Sequence, residues 1–138
     1  MLIANNWKEY EVLDAGDGAK LERWGESNNS FILSRPDPLI IWPKKRPDLW
    51  ANVDGIYTRN DLGGGKWKFN RAIPDRWQIN YETLKFWISP TDFKHTGVFP
   101  EQAANWDWIM DKVKGESAKG KAPKLLNLFA YTGGATIA

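Results

Sequence analysis

Short runs of alternating apolar and polar residues, separated by turn-forming residues, fill most of the chain. Between residue 8 and about residue 89 they recur every 8 to 12 residues or so, the spacing of an antiparallel sheet or small barrel. Asp14 to Gly18 predict a hairpin turn, because Asp and Gly tolerate positive φ. Further strand pairs are expected around Pro36 to Pro38, around Leu62 to Gly65, and around Glu82 and Thr83.

The period changes at residue 99, where "FPEQAANWDWIMDKVKG" predicts a helix. Pro100 suits its first turn and Gly115 its exit. The apolar positions follow the 3.6-residue spacing of one helix face. They are Ala103, Trp106, Ile109, Met110 and Val113.

After a polar linker, "KLLNLFAYTGG" reads as a buried parallel strand that runs into a glycine turn and a helix start. A parallel strand needs neighbours, each joined through a crossover of about a dozen residues or more. None follow, so we expect a truncated unit. The predicted fold class is α+β, with a mainly antiparallel β-rich N-terminal domain at residues 1–92. Residues 93–138 are expected to form one helix and the first strand of a truncated Rossmann-like domain.

Composition excludes several classes of site and leaves one question open. The chain has no cysteine, so disulfides and thiolate zinc sites are excluded, and a net charge of +2 gives no strong nucleic-acid signal. No signal peptide and no run of about 18 apolar residues are found, so we expect a cytoplasmic protein without a membrane partner. The nine tryptophans either fill the core or form a stacking surface for bases or sugars.

Few motifs in the sequence indicate a binding or catalytic site on their own. The "TGG" turn could bring main-chain N–H groups close to a ligand or simply allow close packing, and the G-x-G-x-x-G dinucleotide pattern is absent. His95 is the single histidine of the chain. It lacks the neighbouring ligands of a metal site and the G-x-S-x-G elbow of a catalytic triad, so a structural hydrogen-bonding role is the alternative to a catalytic one. The basic run Lys44 to Arg46 could touch phosphate or be a solvated loop.

Two segments together resemble a known family. "FKHTGVFPEQ" followed by "LLNLFAYTGG" is similar to the class I S-adenosylmethionine-dependent rRNA methyltransferase family, in the branch that lacks a PUA domain. The segments "KLERWG" and "RPDP" resemble the N-terminal domain of that branch. The wider family has Lys where this chain has His95 and Arg where it has Ala103, so two positive contacts are missing.

The resemblance implies a cofactor, S-adenosyl-L-methionine, and part of its pocket. The segment that walls the pocket corresponds to His95, Thr96, Phe99, Glu101 and Gln102. The first methyltransferase motif corresponds to Asn127, Phe129, Tyr131, Thr132, Gly133 and Gly134. The ribose-binding acidic residue and the catalytic motif would lie beyond residue 138, so no catalytic residue is assigned and the fragment alone is expected to be inactive.

The leading hypothesis is therefore the N-terminal part of a methyltransferase that acts on RNA, most simply rRNA. The alternative is a stand-alone β-domain that binds RNA through aromatic and basic side chains. The basic candidates are Lys44, Lys45, Arg46, Lys66 and Lys68.

Overall fold

A five-stranded sheet organises the first half of the computed structural model, which describes residues 3–61, 63–128, 131 and 133–137. Its strands lie in the order β1-β2-β3-β4-β5, and a separate hairpin pairs β6 with β7. The bounds are β1 Tyr10–Gly16, β2 Ala19–Glu26, β3 Asn29–Pro36, β4 Gly55–Arg59, β5 Gly65–Phe69, β6 Trp77–Tyr81 and β7 Leu84–Ile88. Pairing between β1 and β5 is not found in the described part of the sheet, so it is open rather than a closed barrel.

Three predicted hairpins are confirmed. Asp17 and Gly18 connect β1 to β2 with φ of 51° and 75°, the positive values that the local twist requires. The β4–β5 hairpin contains the predicted glycine loop, of which Leu62 lies outside the described residues. The turn between β6 and β7 is at Glu82, with φ of 51°.

The prediction of a strand after Pro38 was wrong. Residues 39–43 form no ladder, and instead the Ile40 and Trp42 carbonyls each accept a 2.8 Å bond from the Asp17–Gly18 turn. Prolines at positions 38 and 43 lack the N–H that a ladder needs. The segment lies beside the turn between β1 and β2 and leads to a 3₁₀ turn at Pro47–Asn52.

The chain then returns to the sheet beside β3. The β3–β4 pair is parallel and short, with Leu33 opposite Gly55 and Ser34 opposite Ile56. The sheet is thus antiparallel at every other junction, as the alternating pattern predicted. The second hairpin packs on its inner face through Ile79 and Ile88, both fully buried.

The predicted helix is present and longer than expected. A 3₁₀ turn at Pro100–Gln102 leads into α1, Ala103–Ala118. Gly115 is therefore inside the helix and not at its exit, where Gly120 has φ of 73° instead. Ala103 and Trp106 are buried on the sheet side of α1. No described helix is long and apolar enough to cross a bilayer.

The segment predicted as a buried parallel strand does not form one over residues 124–128. Leu126 and Leu128 are 82% and 73% exposed, and among the described residues no strand pairs with their main chain. Phe129 and Ala130 lie outside the described residues. The predicted helix start is confirmed as a single turn, α2, at Gly134–Ile137.

Tryptophan serves mainly as a core residue. Trp24 and Trp106 are buried, and Trp7, Trp67 and Trp77 pack partly buried against the same cluster. Trp42, Trp87 and Trp108 are exposed. The core-filling interpretation therefore holds for most of the rings, while three remain available to a partner.

Candidate functional site

A series of three rings joins the two segments that the sequence singled out. The His95 and Phe99 rings meet edge to face with centroids 5.1 Å apart, and Phe99 lies 4.7 Å from Tyr131. Tyr131 has φ of 47° and is 57% exposed. The contact between the two segments is therefore aromatic, and aromatic faces are groups that attract a cationic ligand.

His95 occupies a positively charged environment. Partial burial lowers the pKa of its imidazole below the usual 6.5, and the charges of Arg35 and Lys94 lower it further. Glu101 acts in the opposite direction but does not cancel these effects. His95 is therefore mainly neutral at pH 7, with one ring nitrogen able to accept a hydrogen bond.

Thr96 is fully buried beside His95. Its carbonyl accepts a 3.1 Å bond from the Ser89 amide at the end of β7. Its hydroxyl has no hydrogen-bond partner within the described part of the chain. Gly97 follows with φ of 104°, and a β-carbon there would come 3.0 Å from the Trp87 carbonyl, so this turn needs glycine.

Glu101 and Gln102 lie exposed in the 3₁₀ turn before α1. The Glu101 carboxylate acts to raise the pKa of both His95 and Arg35. The Gln102 side-chain carbonyl accepts a 2.8 Å bond from Asn105, which lies in the first turn of α1. Of these two residues, Glu101 is the one that the structure brings toward His95.

The glycine turn near the other segment is built for close packing. Gly133 has φ of 85° and its carbonyl accepts the Thr136 and Ile137 amides, closing the α2 turn. A β-carbon at Gly134 would come 2.8 Å from the Trp106 ring. Asn127 donates a 3.0 Å bond to the Thr136 hydroxyl. Phe129 and Thr132 lie outside the described residues.

Sequence reasoning missed a buried polar network that supports this site. Glu22 is fully buried and accepts bonds from Tyr10 at 2.7 Å and from Arg35 at 2.5 and 2.7 Å. Burial and the Glu22 carboxylate raise the pKa of Tyr10, which stays protonated as a donor. Arg35 also donates a 2.9 Å bond to the Lys94 carbonyl, next to His95.

A signal for this network does exist in the sequence. Strand alternation places Glu22 on the same face as Trp24, which is an apolar face, and an acid there requires a buried partner. Arg35 is the diagonal cross-strand neighbour of Glu22, since Glu22 pairs with Leu33. The pairing of β2 with β3 had to be known before this could be inferred.

The groups present fit the methionine end of S-adenosyl-L-methionine. Rings, a carboxylate, an unpaired buried hydroxyl and amide groups are the partners that a sulfonium ligand with an amino-acid end needs. In the part of the chain that the structure describes, no group of three or more His, Asp or Glu residues is placed to hold a metal ion.

Comparison with known proteins gives a relative with the same fold. The chain is similar to a SAM-dependent methyltransferase from Agrobacterium tumefaciens, at 37% sequence identity and a TM-score of 0.80. The match covers 94% of this chain and 39% of that chain. The likeness supports the methyltransferase family. No protein-family model matches the sequence.

Nearly all of the chain takes part in the match, so the likeness extends over most of the fold. The chain spans well under half the length of that methyltransferase. The contributions of His95, Phe99 and the glycine turn to cofactor binding remain predictions.

Proposed function

We propose that this chain is the part of an S-adenosyl-L-methionine-dependent methyltransferase that carries the first wall of the cofactor pocket. The observation that carries the proposal is the 37% identity to a SAM-dependent methyltransferase across 94% of the chain. The aromatic series from His95 to Tyr131 supports it, because these rings come from the two segments that the family resemblance implicates.

In this proposal the residues present bind and orient the cofactor. Phe99 and Tyr131 would face the sulfonium, and Glu101 would accept a bond from the ammonium group of the methionine portion. Bound S-adenosyl-L-methionine supplies an electrophilic methyl group. The ribose and adenine contacts and the catalytic residues would come from the larger part of the methyltransferase relative's length, which this chain does not match.

RNA, and in particular rRNA, is the proposed acceptor. Exposed aromatic and cationic groups on the β-rich region support an RNA partner, since bases stack on rings and phosphates pair with cations. Trp87 is 58% exposed with the Arg76 guanidinium 4.7 Å from its ring centroid. Lys66 and Lys68 are exposed on β5. Lys44 and Arg46 instead pair with Asp17 and Asp48, which weakens their candidacy.

The test is methyl transfer from tritiated S-adenosyl-L-methionine to rRNA from cells that lack the gene. We expect the full-length gene product to label the rRNA and the 138-residue chain alone to leave it unlabelled. Labelling of another acceptor would remove the RNA assignment and keep the methyltransferase. Failure of the full-length product to label any acceptor would contradict the proposal.

A stand-alone RNA-binding module is the second candidate, favoured by the exposed Trp87 and its stacked guanidinium. It predicts salt-dependent quenching of tryptophan fluorescence when single-stranded RNA is titrated into the 138-residue chain. Trp87→Ala should then remove most of the binding, while Trp108→Ala, which changes an exposed ring on α1, should leave it unchanged. Such binding without any methyl transfer would favour the module.

A further inference from the structure

The segment 91–100 connects the second hairpin to α1 and contains the first half of the candidate cofactor wall. Apart from the start of a 3₁₀ turn at Pro100, it has no regular secondary structure. Within it, the Thr91 hydroxyl interacts with the Phe93 and His95 carbonyls at 3.0 and 2.8 Å. Local bonds alone would not fix its position relative to the sheet.

Four side chains from distant parts of the chain donate hydrogen bonds to main-chain carbonyls of this segment. The partners are 24, 35, 59 and 93 residues apart in sequence. The bonds are Trp67 Nε1 to Thr91 at 2.8 Å, Tyr57 Oη to Asp92 at 2.9 Å, Arg35 Nη1 to Lys94 at 2.9 Å and Trp7 Nε1 to Pro100 at 2.9 Å. They hold the segment at both ends and near its middle.

Three of these four donors are held by further contacts of their own. Tyr57 is 4% exposed, and its hydroxyl lies so near Gly65 that a β-carbon there would come 2.6 Å from it. Arg35 is 6% exposed and its other nitrogens are held by the buried Glu22. Trp67 packs edge to face on Tyr57 with centroids 5.4 Å apart. A donor that is held in this way fixes the carbonyl that it binds at a set position relative to the sheet.

The bonds use main-chain acceptors, so they leave the side chains of the segment available to a ligand. His95 and Phe99 are not among the groups that the donors engage, although the donors flank both residues. Holding a loop by its carbonyls while its side chains stay available is the arrangement expected for a pre-organised binding wall.

We propose that Arg35, Tyr57, Trp67 and Trp7 are positioning residues, through which the β-sheet sets the placement of His95 and Phe99 for the cofactor. The role in cofactor binding rests on the proposed function. The main role of the β-rich region is then to fix the cofactor wall, in addition to any contact with RNA.

The structural test compares two variants that each remove one buried hydroxyl. Tyr57→Phe breaks the bond to the Asp92 carbonyl, and the matched control Tyr81→Phe breaks the 2.6 Å bond to Asp107 on α1. Because the chain has a single histidine, the Hε1 proton of the His95 imidazole gives one signal that needs no assignment among several histidines. We expect Tyr57→Phe to shift that signal and to speed amide exchange of Ser89 and Phe93 by about fivefold.

The control should leave both the His95 signal and these exchange rates unchanged. If Tyr57→Phe also leaves them unchanged, or if both variants change them equally through a general loss of stability, the proposal is overturned. The same two variants are then compared in the full-length gene product by steady-state methyl transfer.

There we expect Tyr57→Phe to raise the KM for S-adenosyl-L-methionine by about fivefold with kcat little changed, and Tyr81→Phe to alter neither. An active wild-type protein whose KM is unaffected by Tyr57→Phe overturns the positioning role and leaves the proposed function intact. An inactive wild-type protein overturns the proposed function and the cofactor role together.

Discussion

Gly134 lies against the Trp106 ring so closely that a β-carbon at position 134 would come 2.8 Å from Cζ2. Trp106 is 3% exposed and belongs to the main core, so its ring cannot easily move aside. We expect Gly134→Ala to displace α2 and to lower the free energy of unfolding by about 1 kcal/mol, the lower end of overpacking costs. Changed NMR signals of the Trp106 indole would report the displacement, and unchanged signals would contradict it.

At Gly115 on α1, in contrast to Gly134, an alanine is expected to stabilise the fold. Gly115 lies inside the helix, and the space that an alanine β-carbon would occupy there has no neighbouring atom within 4 Å, so alanine adds no clash. Gly115→Ala should raise the free energy of unfolding by about 0.5–1 kcal/mol, because alanine loses less main-chain entropy in a helix. Urea denaturation measures the gain. Gly120→Ala should instead destabilise, since Gly120 has φ of 73°.

The sequence predicted those parts of the fold that depend on local rules. The hairpin at Asp17–Gly18 and the helix that begins after Pro100 both follow from the preferences of a few adjacent residues. The helix end was misplaced, because a glycine inside a helix and a glycine that ends one look alike until the main-chain φ is known.

The sequence did not predict the parts of the fold that depend on pairing between distant segments of the chain. The apolar run that begins at Leu39 resembles a strand, but its main chain bonds to the Asp17–Gly18 turn and not to a ladder partner. The apolar residues at Leu126 and Leu128 need a parallel partner that no local pattern can supply.

The sequence likewise predicted only part of the candidate site. The motifs identified His95 and Phe99, while the bond from Arg35 to the Lys94 carbonyl joins residues 59 positions apart. Only the register of β2 with β3 brings Arg35 next to Glu22 and directs its remaining nitrogen toward the loop.

The buried Glu22–Arg35 pair should be sensitive to the loss of one partner. Glu22→Gln leaves the Arg35 charge without its carboxylate in a site where both side chains are nearly inaccessible. We expect a loss of about 3–5 kcal/mol in the free energy of unfolding, measured by urea denaturation. Tyr10→Phe removes one 2.7 Å bond to the same carboxylate and should cost only about 1–2 kcal/mol. Equal losses for the two variants would contradict the pairing as described.

Acidification should destabilise the fold through His95. Burial, Arg35 and Lys94 lower its pKa in the folded chain below the usual 6.5, whereas the unfolded chain keeps the ordinary value. Between these two pKa values the unfolded chain binds more protons, so the free energy of unfolding rises with pH. The stabilisation is present above about pH 6.5 and is lost as the pH falls toward the folded-state pKa.

His95 is the single histidine, so a neutral substitute isolates its contribution. Urea denaturation of the wild type and of His95→Gln at about pH 5.5 and 7.5 gives the comparison, in a range where most carboxylates stay ionised. We expect the wild type to lose more stability than His95→Gln on going to the lower pH. The same loss in both proteins would mean that neither the burial of His95 nor the cations near it disfavour protonation of the ring.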